Sequence, residues 1–159
     1  MGRSGYILIA VATGPRTKNR KTKNTSINSK KKGTMSRVDF FERKLDDKRR
    51  LTIPSEVRDE FASGVVITRG FGSYLHLYPK DVWDRDVEAA LTGDILDESV
   101  ADKNVKFRIG KIDTRLDGKQ GRVALEKFHL EYAGISHEIV AVRVGSYFRL
   151  MSPEVANAL

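Results

Sequence analysis

The side chains of this 159-residue chain best placed for chemistry are cations. Arg43, Lys44, Lys48, Arg49 and Arg50 set five positive groups within eight residues, partly offset by Asp46 and Asp47. An arginine can donate two parallel hydrogen bonds to guanine O6 and N7, whereas a lysine acts as a point charge beside a phosphate. A thinner second set, Lys119 and Arg122, follows, with Arg122 standing 72 residues after Arg50. Two readings of Arg50 stand side by side: contact with a base or phosphate, and an ion pair to Asp46 or Asp47 that braces a turn.

Other chemistries find little support. With no cysteine, disulfides, thiolate catalysis and sulfur-ligated zinc are excluded. The three histidines, His76, His129 and His137, are never spaced as in HExxH, and ordinary surface or interface placement suits them better than catalysis. Asp46, Asp47, Asp113 and Asp117 read as turn residues, because no nucleophile accompanies them. The residues therefore predict no enzyme, no catalytic residue, no metal, no cofactor and no small-molecule substrate. No apolar run approaches the ~18 residues of a membrane span, so no membrane partner is expected.

An imperfect repeat must position the cations. Leu45-Asp46-Asp47-Lys48-Arg49-Arg50-Leu51-Thr52-Ile53-Pro54 opens the first copy and Leu116-Asp117-Gly118-Lys119-Gln120-Gly121-Arg122-Val123-Ala124-Leu125 the second; Gly72-Ser73-Tyr74 and Gly145-Ser146-Tyr147 close them in the same order. Each copy reads as a polar turn, a strand (50–53 or 122–125), a brief helix (55–61 or 126–132) and a two-stranded hairpin (65–68 with 74–78, or 138–144 with 147–151). Tyr74, Tyr78, Tyr147 and Phe148 suit core or interface positions. One copy is too small to bury its own apolar faces, so two must close on each other, or on copies in another chain, into a small barrel.

Charge is unevenly distributed. Residues 1–37 carry ten Lys or Arg and no acid, while the other 122 carry 19 cations against 21 acids, a net of −2. Residues 1–34 read as a basic extension, with three readings: a nucleic-acid-binding arm, a passive solubility tail, or a stretch preceding a true start at Met35. Between the copies, Asp81 to Asp102 holds eight acids against Arg85 alone. Trp83, Val87, Ala90 and Leu91 recur at helical spacing, which predicts an amphipathic helix shielding one side of the core, with a further turn or two before Phe107. Its acids are either a solvated face or a device that confines nucleic acid to the opposite surface. The resulting division is 35–80 for the first repeat, 81–106 for the acidic connector, 107–153 for the second repeat and 154–159 for a C-terminal tail.

Residues 45–54 resemble the motif LDxKGRxxIP of the MraZ family, with Arg49 in place of its glycine. Residues 116–125 are similar to the second motif, LDxxGRxxxP, with one residue inserted between Asp117 and Arg122 and Glu126 where the first copy has Pro54. Leu77-Tyr78-Pro79 followed by Trp83, and Glu131-Tyr132-Ala133-Gly134, extend the resemblance. It implies a mainly β, α+β fold: a pseudo-twofold, swapped-hairpin barrel of the SpoVT-AbrB, double-ψ-like type built from two half-domains. It further implies a cytoplasmic, nucleoid-associated transcriptional repressor of the division and cell-wall gene cluster. Such a protein binds short direct repeats in double-stranded DNA as a higher homo-oligomer. By position, the resemblance implies Arg50 with Lys48 as contact residues; the charge of the same loop adds Arg49, Arg43 and Lys44 as DNA-binding candidates, and the second repeat adds Arg122 and Lys119. Arg49 matches no family arginine, and its left-handed turn position is expected to be shifted or strained; the inserted residue makes the second loop the weaker candidate surface. A scaffold or protein-binding module that keeps the barrel is the alternative reading.

Overall fold

The structure, a computed structural model, describes residues 38–159; the basic extension lies outside them. In chain order, β1 (Phe40–Lys44) and β2 (Arg50–Thr52) flank a polar turn, a 3₁₀ helix spans Ser55–Phe61, and β3 (Val65–Arg69) pairs with β4 (Leu75–Pro79). The connector holds α1 (Lys80–Val82), a π turn (Trp83–Val87), α2 (Glu88–Leu91) and α3 (Glu98–Arg108). The second copy follows as β5 (Ile112–Thr114), β6 (Arg122–Ala124), α4 (Lys127–Ala133), β7 (Glu138–Val144) and β8 (Tyr147–Met151), and α5 (Pro153–Asn157) ends the chain.

The strand order of the main sheet, β1-β7-β8-β4-β3-β5, shows how the copies exchange elements. β1 pairs with the hairpin of the second copy and β5 with the hairpin of the first, while β4 and β8 join the two hairpins. β2 and β6 form a separate antiparallel ribbon, with Leu51 opposite Val123 at its centre. Each half thus completes the other, as expected of a swapped pair. The closed barrel expected from the sequence is absent among the described residues, where β1 and β5 end one sheet and the ribbon forms another. The three-residue ribbon strands spend their ladder bonds on each other, and the residues leading into them are turn rather than strand.

Alternation along the strands splits the buried side chains into two layers. Leu75 and Leu77 of β4 point into the main core with Leu51, Val123, Phe41 and Phe148. Tyr78, on the opposite face, packs with Val66, Val82, Trp83, Leu91 and Phe107 beneath the connector. The connector therefore does cover one side of the sheet, and α3 is eleven residues long where only a turn or two was expected. Asp97 starts it by accepting the Ser99 N–H, the usual N-cap device. Gly134, at φ 65, stops α4 in a left-handed turn in which the Ile135 N–H reaches back to the Leu130 carbonyl.

The placement expected for the histidines is corrected in part. His76 and His129 are buried rather than superficial, because both faces of β4 are covered and α4 packs inward at His129. His76 sits among the rings of Phe71, Tyr74, Tyr78, Phe107 and Tyr147, with Nδ1 2.9 Å from the Tyr78 hydroxyl. Burial, with Arg149 nearby, pushes its pKa down to about 4.

Candidate functional site

The β2–β6 ribbon buries Leu51 and Val123 and therefore turns Arg50, Thr52, Arg122 and Ala124 to the other face. Each arginine is held by the aspartate that opens its own turn. Asp46 Oδ1 accepts the N–H groups of Lys48 and Arg50 at 2.9 and 2.8 Å, and Oδ2 accepts Arg50 Nε at 2.7 Å. Asp117 repeats the arrangement: Oδ1 takes the Gln120 and Arg122 N–H groups at 3.0 and 3.2 Å, and Oδ2 takes Arg122 Nε at 2.8 Å. Arg122 Nη1 also lies 3.8 Å from Asp46 Oδ2, which links the two halves. The Arg50 N–H above all, then its guanidinium and the Lys48 N–H, hold the Asp46 carboxyl below its ordinary value; for Asp117 the Arg122 guanidinium leads.

The turn brace proposed for Arg50 is therefore present. Anchoring through Nε fixes the plane of each guanidinium, an arrangement suited to directed recognition. The residue inserted in the second turn does not disturb this pattern, because the longer loop folds over Asp117 and still delivers Arg122 to it.

The departure at Arg49 has a structural counterpart. Arg49 keeps the left-handed conformation, φ 61, beside φ 64 for Gly121 at the equivalent point. Each turn residue's carbonyl accepts a bond from the other copy, Arg49 from the Leu125 N–H at 2.9 Å and Gly121 from the Ile53 N–H at 2.8 Å. Arg49 Nε then donates to the Leu125 carbonyl at 3.3 Å. At the matching place the donor is Arg58, whose Nε reaches the Ile53 carbonyl at 2.8 Å while its guanidinium lies over Gly121. One guanidinium thus covers each junction, supplied by the turn in the first case and by the 3₁₀ helix in the second.

The remaining cations divide. Lys48 and Lys119 are exposed on the two turns. Arg43 and Lys44 belong to β1: Arg43 is half-buried with its guanidinium 5.5 Å from the Phe41 ring, and Lys44 lines a groove with Glu42 and Glu138. The structure therefore brings Arg50, Arg122, Lys48, Arg49 and Lys119 to one ribbon and its turns, and sets Arg43 and Lys44 along the strand behind. Sequence reasoning missed Arg58, which has Leu130 opposite it in the second copy. It also missed Arg115, whose only signal was its alignment with Lys44 ahead of the second Leu-Asp.

Two half-domains that exchange strands and present a shared ribbon define a pseudo-twofold protein with mixed sheets and short helices, consistent with an AbrB-like fold. A family model described as "MraZ protein, putative antitoxin-like" matches residues 40–93. The chain is 33% identical over 113 residues to "Transcriptional regulator MraZ" of Roseiflexus castenholzii, covering 71% of this chain and 78% of the relative. It is 36% identical over 115 residues to the protein of that name from Herpetosiphon aurantiacus, covering 72% and 79%, and 32% identical over 118 residues to that from Corynebacterium kroppenstedtii, covering 74% and 81%. The chain belongs to the MraZ family, whose members are non-catalytic transcriptional regulators, and it is not an enzyme. Among the described residues no helix is long and apolar enough to cross a membrane.

Proposed function

We propose that the chain is a sequence-specific, double-stranded DNA-binding transcriptional regulator. It acts in the cytoplasm, at the nucleoid, as a repressor of the division and cell-wall gene cluster, and it engages promoter-proximal direct repeats as an oligomer. The observation that carries this reading is the ribbon face shared on a diagonal by Arg50, opposite Ala124, and Arg122, opposite Thr52, each anchored through Nε to a turn aspartate. A two-stranded ribbon fits the ~12 Å width of a major groove, where an arginine reads guanine by its paired donors. Lys48, Arg49 and Lys119 on the flanking turns supply charge toward the phosphates.

Assembly is part of the proposal because one ribbon spans few base pairs. Several subunits in register with repeated sites multiply weak contacts through effective concentration. In support, the outer face over β1 and β7 leaves Phe40 and Val144 exposed at 56% and 36%, while the matching face of the other half lies beneath the connector. The acids of the connector stand on α1 to α3, away from the ribbon, and would disfavour phosphate there. Fluorescence anisotropy at physiological salt, with the gene's own upstream region and a shuffled duplex, tests the reading. Preferential binding to the native sequence is expected; equal affinities remove specificity, and no binding to either by the folded protein favours the scaffold alternative.

A further inference from the structure

We infer that Arg58 and Arg115 form a second seat for the phosphodiester backbone of duplex DNA, the pseudo-twofold counterpart of Arg49 and Lys44 beside the first turn. The inference rests on the DNA-binding reading and extends it to two residues that lie outside both turn motifs. Arg115 precedes Leu116-Asp117 as Lys44 precedes Leu45-Asp46, and Arg58 covers the junction at Gly121 as Arg49 covers the junction at Leu125. Each turn is therefore flanked by two cations, though only Lys44 and Arg115 align with each other, Arg49 standing opposite Gly121 and Arg58 opposite Leu130.

The seat is a cleft of about 220 Å³ against the second turn, with Arg58, Arg115, Phe61 and Gly118 in its lining. Asp117 also lines it, but both its oxygens are engaged by the turn, with Arg122 Nε on Oδ2 and the Gln120 and Arg122 N–H groups on Oδ1. Among the described residues no carboxylate lies within ion-pair distance of Arg58 or Arg115. Arg58 is fixed through Nε to the Ile53 carbonyl and half-buried, so its charge is held at the cleft, while Arg115 is exposed at its rim. A tetrahedral anion with several acceptor oxygens is the ligand two guanidinium groups recognise best. The cleft adjoins the ribbon through Gly121, which lines it and immediately precedes β6. The second turn thereby becomes a full partner of the first.

The test is a salt titration of DNA affinity by the full chain, wild type against Arg115→Gln, on native and shuffled duplexes. Arg115→Gln is expected to weaken both complexes by the same factor and to lower the slope of log affinity against log salt by about 0.9. Its thermal midpoint should not move, since Arg115 is exposed. Arg58→Lys keeps the charge and loses the Nε bond, so it should lower the midpoint yet retain the slope, whereas Arg58→Gln should lose both. Lys103→Gln, on α3 across the sheet, should change neither. An unchanged slope in Arg115→Gln, or a loss confined to the native duplex, overturns the phosphate seat while leaving DNA binding intact. Failure of the wild type to bind either duplex overturns the underlying reading as well.

Discussion

At the scale of single residues, two turns with one backbone path differ in how they tolerate side chains. A non-glycine residue in the left-handed region costs about 1–2 kcal/mol, and Arg49 recovers part of that through its bond to the Leu125 carbonyl. Arg49→Gly should therefore change stability by no more than about 1 kcal/mol, since relief of strain offsets a lost hydrogen bond. Gly121→Ala should destabilise by at least ~1–2 kcal/mol, because it meets the same backbone cost and its Cβ runs into the Arg58 guanidinium. Urea denaturation of the two variants checks the contrast. His76 gives a pH signature of its own. Its folded pKa of about 4 lies below the ordinary histidine value of 6.5, so at intermediate pH the unfolded chain binds a proton that the folded chain does not. Stability should fall with pH between those two values, by up to about 3 kcal/mol, and level off below them. Replacing His76 by Phe should flatten that slope in urea melts at pH 7 and pH 5; an unchanged slope would assign the effect to other groups.

At the scale of elements, cross-copy contacts set the architecture. Arg143 of β7, its side chain only 6% exposed, donates to both Glu60 oxygens at 3.0 and 2.9 Å and to the Val38 carbonyl at 3.0 Å, tying the second hairpin to the 3₁₀ helix of the first copy. Removing it leaves a carboxylate without its partner, and Arg143→Ala should cost roughly 3 kcal/mol by denaturant titration. The connector depends on Trp83, which is buried and donates Nε1–H to Glu88 at 3.0 Å. Trp83→Ala should cost ~3–5 kcal/mol. The same contacts explain what could be read from the sequence. The turn, strand, helix and hairpin of each copy were legible because they are local patterns that occur twice, and the span of the second hairpin is as expected. β1 and β5 were not, since Phe40-Phe41-Glu42-Arg43-Lys44 lacks clean alternation and both strands pair with the distant copy. The burial of His76 was equally hidden: alternation puts it on the far face of β4, and its cover comes from a connector whose packing no local pattern encodes. At the site, the anchored pair Arg50 and Arg122 was visible through the repeat, whereas Arg58 was not, because its role arises from contact with Gly121 of the other copy.

At the scale of the whole molecule, the two halves of the sheet are unequally covered, and the proposed self-association rests on that inequality. Light scattering on the full chain should give a mass several times 17.9 kDa, reduced by Phe40→Glu, which places a charge on the exposed face over β1. A monomer at micromolar concentration that also fails to assemble on DNA would contradict the oligomeric reading. Under the reading of residues 1–34 as a nucleic-acid-binding arm, the ten cations in residues 1–37 are expected to add attraction of a different kind. Deleting residues 1–34 should weaken native and shuffled complexes by similar factors and lower the salt slope. The central claim is that specificity resides in the anchored arginines of the ribbon, and the most direct measurement is the ratio of native to shuffled affinity in Arg50→Ala and Arg50→Lys. Both variants should lose ~1–3 kcal/mol of discrimination per engaged site, because neither can make the paired contact to guanine. Arg50→Lys should hold shuffled DNA nearly as well as the wild type, since it keeps the charge. An unchanged specificity ratio in both variants, with deletion of residues 1–34 abolishing it instead, would place recognition outside the ribbon and contradict the account.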